Sequence, residues 1–342
     1  MEKKKMVLGA GILFLVLVLI NITLQFLDFS SLPTFASILA PQACIIIPVI
    51  IYAIITKQNL FELIRFRKVN FWSVLLIIPV TYLLNPLLTC INAFSMAFST
   101  NMISGTMGSI ADELPYIAGL SLMALLPALT EEITFRGVLL NSFHRDSNPW
   151  PAILFSAVCF GCMHMNLNQM AYALILGILM GIILEASGSI ISTMLVHFIF
   201  NGTSISLLYL LPKFAEWYMK LLEQNGMTLE QAGLTQQDMD ALMNVGQSTA
   251  SSTPGEMLMM GAVMLIPAII GLALAGLLIY LIAYLNKRQL ILKGMFMKKS
   301  PEQKQAMAAD KVRIMNPALG IAIGICVVFA IIIEVLLRVS GM

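Results

Sequence analysis

The chain reads as an all-α protein, a polytopic transmembrane helix bundle of about eight or nine spanning helices. Three observations predict this. Of its 342 residues, 59% are hydrophobic and only 11% charged, whereas soluble domains carry about 25% charged residues. The apolar residues fall in runs of roughly 20, the length that crosses a hydrocarbon core about 30 Å thick. The basic residues gather on alternate connections between those runs, as the positive-inside rule requires.

Nine runs qualify: about 6–27, 34–56, 71–98, 116–141, 150–166, 168–187, 189–211, 256–285 and 315–337. The first follows Met1-Glu2-Lys3-Lys4-Lys5. It is too long for the apolar region of a signal peptide and lacks an obvious small-residue cleavage site, so it is expected to remain as a helix. Pro41, Pro48 and the Asn85-Pro86 pair are expected to interrupt the second and third runs. The fifth run is short. The Met165-Asn166-Leu167-Asn168 turn after it is expected within the membrane, where non-helical backbone needs cover from protein or a water-filled cavity.

A cytoplasmic N-terminus turns segments 1–5, 57–70, 142–149 and 286–314 inward, and these hold 16 of the 20 lysines and arginines. Segment 286–314, with eight of them, is expected along the anionic inner leaflet. Residues 212–255 then face outward, with two basic and five acidic residues. There Thr228-x-x-Gln231 and Thr235-x-x-Asp238 read as helix starts, Asn225-Gly226 as a helix end, and 248–254 as a Ser/Thr-rich linker. Two or three short amphipathic helices are expected. All five cysteines, Cys44, Cys90, Cys159, Cys162 and Cys326, lie in apolar stretches and read as small buried hydrophobes. Cys159-x-x-Cys162 lacks the second pair that a metal or redox site would need.

The stretch Thr130-Glu131-Glu132-Ile133-Thr134-Phe135-Arg136-Gly137 puts three charges inside an apolar run, and each costs a few kcal/mol at the bilayer centre. On a helix, Glu132 and Arg136 stand four apart on one face and can pair. Glu131 is rotated about 100° away, and a structural pair has no need of it. It is therefore the functional candidate. His144 lies in a short inner connection beside Arg145 and Asp146 and is expected to be solvated. Phe160-x-x-x-His164 and His197-x-x-x-Asn201 each place two side chains on one helix face. At about 1.5 Å per residue, Glu131, His164, His197 and Asn201 reach depths of roughly 12–21 Å from the inner ends of their helices. Independent helices thus bring them to a similar level. Glu334 and Arg338, four apart near an outer end, and Glu185 near an inner end read as structural.

Glu131-Glu132-x-x-x-Arg136, Phe160-x-x-x-His164 and His197-x-x-x-Asn201, in that order, resemble the three motifs of the CAAX-protease and bacteriocin-processing (Abi) family of intramembrane glutamic endopeptidases. The resemblance covers about residues 115–205. It implies a peptidase with its site in a membrane cavity, acting on membrane-associated peptides or proteins. Glu131 would be the general base, polarising water with help from His164. His197 and Asn201 would stabilise the oxyanion, and Glu132, Arg136 and Phe160 would support the site. The resulting division is 1–115 N-terminal helices, 116–211 catalytic membrane core, 212–255 extracytoplasmic insertion and 256–342 C-terminal helices with a basic loop. A bacterial cell membrane is the expected setting, the lipid bilayer is the environment, and no nucleic-acid partner is expected. Glu131, His164 and His197 could make a two-His, one-carboxylate zinc site. No His-Glu-x-x-His is present and Asn is a poor zinc ligand, so no cofactor is expected. Two other classes compete: a proton-coupled carrier, since buried acids and histidines also build relays, and a non-catalytic immunity or scaffold protein.

Overall fold

The computed structural model describes residues 2–29, 31–100, 113–144, 148–245, 253–302, 304–305 and 313–340, and these contain no strand. The helices are α1 (Glu2–Gln25), α2 (Thr34–Ile55), α3 (Leu60–Leu63), α4 (Phe71–Met96), α5 (Tyr116–Phe143), α6 (Trp150–Met163), α7 (Leu167–Ser187), α8 (Ile190–Gln224), α9 (Gln236–Met243), α10 (Pro254–Leu285), α11 (Gln289–Phe296) and α12 (Pro317–Ser340). Among the described residues, eight are long and apolar enough to cross a membrane: α1, α2, α4, α5, α7, α8, α10 and α12. The ninth run differs from expectation. As α6 it has 14 residues, about 21 Å, too short for a core of about 30 Å.

Instead α6 and α7 form a hairpin whose turn is buried, with Met165 at 3% and Asn166 at 4% exposure. Met165 holds a left-handed φ of 51°, a conformation L-residues adopt rarely. Polar side chains supply the cover that such backbone needs in a membrane. Asn21 of α1 donates to the Met163 carbonyl at 2.7 Å, Asn166 donates to that of Thr100 at 3.5 Å, and Asn166 Oδ1 accepts from the Gln169 N–H at 3.0 Å. Lipid gives helices no hydrophobic reason to associate, so close approach at small residues becomes the attraction. A Cβ at Gly177 would lie 2.9 Å from that of Ala157, and one at Gly181 would lie 2.7 Å from the Ile153 side chain.

The same device joins α10 to α4. A Cβ on Gly271 would collide with the Leu83 carbonyl oxygen, whereas one on Gly276 would meet nothing within 4 Å. Gly271→Ala is therefore expected to cost about 1–3 kcal/mol by overpacking, because a backbone carbonyl cannot swing away. Gly276→Ala is the neutral control, and thermal unfolding in detergent checks both.

Several expectations are revised by packing. The prolines do not break their helices: α2 runs through Pro41 and Pro48, and α4 through Pro79 and Pro86, which membrane helices tolerate when neighbours satisfy the freed carbonyls. The outward segment begins as a continuation of α8, whose 35 residues extend about 52 Å, well beyond the hydrocarbon. Its Phe214 ring packs against Trp217 and Tyr218. Beyond Asn225-Gly226, where φ turns to 64°, Thr228 and Gln231 exchange hydrogen bonds and Thr235 and Asp238 form a capping box. The Thr235 hydroxyl and backbone N–H hold the Asp238 carboxyl below its ordinary range. Most of the 248–254 linker, and Arg145 and Asp146, lie outside the described residues.

His144 is not solvated as expected. Its Nε2 lies 3.3 Å from Glu185, which also receives Arg65 at 2.6 Å and Arg288 at 3.1 Å. Glu185 is thus structural, as expected, and ties three connections to the end of α7. Glu334 pairs with Arg338 at 2.7 Å and also accepts from the Thr100 N–H at 3.0 Å.

Candidate active site

The α-helical segment that carries both glutamates, Leu126–Glu132, is flanked by irregular turns. In α5, Ser121–Leu125 and Ile133–Leu139 are π-helical. Such turns widen a helix and recur at functional sites. Widening alters the usual backbone pairing, and side chains bind carbonyls in the second π stretch. The Ser156 hydroxyl donates to the Phe135 carbonyl at 2.6 Å. The Asn141 amide donates to Arg136 at 3.2 Å and to Gly137 at 2.7 Å.

Glu132, the last α-helical residue before the second π stretch, and Arg136 within it meet Nη1 to Oε1 at 3.0 Å, with both side chains wholly buried. The guanidinium carbon lies 4.0 Å from the centre of the Phe160 ring, a cation–π contact. Gly177 leaves room for it, since a Cβ there would stand 3.3 Å from Arg136 Nη2. Phe160 also meets the rings of Phe135, His164 and His197 edge-on, at 5.3, 5.1 and 6.0 Å between centres. It is the shared wall of the cluster.

His197 bridges the two glutamates. Nδ1 is 2.9 Å from Glu132 Oε1, and Nε2 is 3.8 Å from Glu131 Oε2. Glu132 therefore holds two cationic or donor groups on one oxygen, where the helical register gave it only Arg136. His164 fixes its own ring by an Nδ1 contact of 2.9 Å with the Phe160 carbonyl. Asn201 lies further out, its amide donating to the Met123 carbonyl at a long 3.4 Å.

Glu131 and His164 share the lining of one cavity of about 100 Å³. Phe135, Phe160 and Met163 complete its floor, and His197 and Asn201 do not border it. The opposite wall comes from α1 and α2, through Leu17, Ile20, Asn21, Leu24, Pro41, Cys44 and Ile45. These helices lie outside the sequence resemblance, and no local pattern marks Asn21 or Cys44. Their role is a product of tertiary packing. A space of this size holds a few water molecules but falls short of the roughly 300 Å³ at which ligand pockets begin.

Cys44 makes the cavity testable. It is half-buried in that wall, whereas Cys90, Cys159, Cys162 and Cys326 are buried. A small methanethiosulfonate reagent is expected to modify Cys44 first, by intact-mass measurement. Cys44→Ala should be resistant.

Two comparisons find nothing: no curated protein and no solved structure matches the chain. A family model does match, over residues 113–203, and is described as type II CAAX prenyl endopeptidase Rce1-like. That segment contains Glu131, Glu132, Arg136, Phe160, His164, His197 and Asn201. Residues 113–203 of this integral membrane chain are thus similar to the Rce1-like type II CAAX prenyl endopeptidases.

Proposed function

We propose that the protein is an intramembrane endopeptidase that hydrolyses peptide bonds of membrane-associated substrates with water activated by Glu131. The observation that carries this reading is the shared lining of one cavity by Glu131 and His164, within a segment that matches an endopeptidase family. Glu131 Oε takes a proton from water held between it and His164, and the hydroxide oxygen attacks the scissile carbonyl carbon. The carbonyl oxygen becomes an oxyanion. His197, anchored through Nδ1 on Glu132, donates to it from Nε2 when that nitrogen carries a proton. Asn201 exchanges its long contact with Met123 for the same oxygen. As the tetrahedral species collapses, the C–N bond breaks and the proton on Glu131 passes to the leaving amine. Donors held in place in a low-dielectric site stabilise such charge better than water does.

Substrate has to widen the cavity. Only Val49, Tyr52 and Ala53 of α2 are buried, so α2 is the wall that a peptide entering from the lipid displaces. The charge distribution favours a cytoplasmic N-terminus. Among the described residues no three His, Cys, Asp or Glu side chains gather to hold a metal ion; the proposal of a metal-free reaction is therefore put to a direct test. The test is cleavage of membrane-embedded peptides by purified protein in liposomes. Wild-type protein should cleave them at full rate in strong chelator and Glu131→Gln should not. Loss of activity in chelator, restored by zinc, would replace this mechanism with a metal-dependent one.

A further inference from the structure

Asn21 is an amide in an otherwise apolar stretch, Leu19-Ile20-Asn21-Ile22, of a helix outside the family-matched segment. A polar side chain at that depth calls for a partner. Its partner is the Met163 carbonyl oxygen, to which Nδ2 donates at 2.7 Å. The last carbonyls of a helix have no partner within it, and Met163 is the last residue of α6. The neighbouring carbonyls are already used: the His164 N–H binds Gly161 and the Met165 N–H binds Cys162, while His164 Nδ1 binds Phe160. Among these end carbonyls of α6, that of Met163 is bound by another helix, α1. The next residue is His164, and Asn21 borders the same cavity as His164 and Glu131.

We infer that Asn21 is a positioning residue for the peptidase reaction: its amide pins the end of α6 and so fixes where His164 presents its ring to the cavity. This rests on the endopeptidase reading above. It makes the site a joint product of α1 and the Rce1-like core.

The test uses the full chain in liposomes, with Asn21→Leu, which removes the donor, and Asn21→Gln, which keeps an amide. A displacement near 1 Å can cost about 100-fold in rate. Asn21→Leu is therefore expected to lower kcat about 10- to 100-fold with KM within about twofold and the melting temperature nearly unchanged. Asn21→Gln should recover much of the loss. In a His164→Ala background, Asn21→Leu should cost nothing further, because residues that act as one unit are non-additive. Backbone hydrogen exchange over 161–167 should rise in Asn21→Leu but not in Asn21→Gln, a readout that needs no turnover. Wild-type kcat and exchange in Asn21→Leu would overturn the inference, as would an equal loss in the His164→Ala background. Glu131→Gln separates the two failures. If it is inactive while Asn21→Leu is normal, only the role of Asn21 is lost. If it turns over like wild type, the endopeptidase reading itself fails.

Discussion

Glu131→Gln is expected to lower peptide cleavage by about 100- to 10,000-fold, the range typical of losing a general base, while the protein stays folded. The side chain is 17% exposed, and His197 Nε2 stands 3.8 Å from its Oε2. Gln keeps the shape and a hydrogen-bonding oxygen, so little packing is lost. What it cannot do is take a proton from water. Turnover measured beside thermal unfolding of the same preparation checks the split. A matching fall in both would point to a structural carboxylate.

The neighbouring substitution should do the reverse. Glu132→Gln is expected to cost about 3–5 kcal/mol of stability, the usual penalty for breaking a buried ion pair from one side. Arg136 would be left wholly buried with its charge unpaired. Its Nε and Nη2 already have no hydrogen-bond partner among the described residues. The Phe160 face, 4.0 Å from the guanidinium, offers about 2 kcal/mol when desolvated and cannot replace the carboxylate. His197 would lose its anionic acceptor in the same step. Low yield and a collapsed melting temperature are the expected readouts. A stable Glu132→Gln protein that is merely inactive would move Glu132 from support into the chemistry.

Much of this was legible because it is local. Glu132 and Arg136 are four apart, and they pair even where the helix passes into a π-helical stretch. The Thr235–Asp238 cap and the Glu334–Arg338 pair are likewise short-range and appear as expected. The spanning runs follow from hydropathy alone, because lipid leaves the backbone few alternatives to a helix. What was hidden depends on partners distant in sequence. The π turn at 133–139 is bound by Ser156 from another helix. His144 looks like a loop histidine until Glu185 arrives from α7. Pro41 and Pro48 look like breaks, yet α2 runs through both. The cavity wall is the clearest case. Asn21 and Cys44 carry no motif and lie far from the matched segment, yet they face Glu131 and His164 across the same space.

The most direct measurement of the central claim is cleavage of a membrane-peptide pool in H2(18O) by purified wild-type and Glu131→Gln proteins in liposomes, read by mass spectrometry. Water-mediated hydrolysis at Glu131 predicts new C-termini carrying one solvent 18O with the wild type and none with the variant. Labelled products formed equally by both proteins would contradict it.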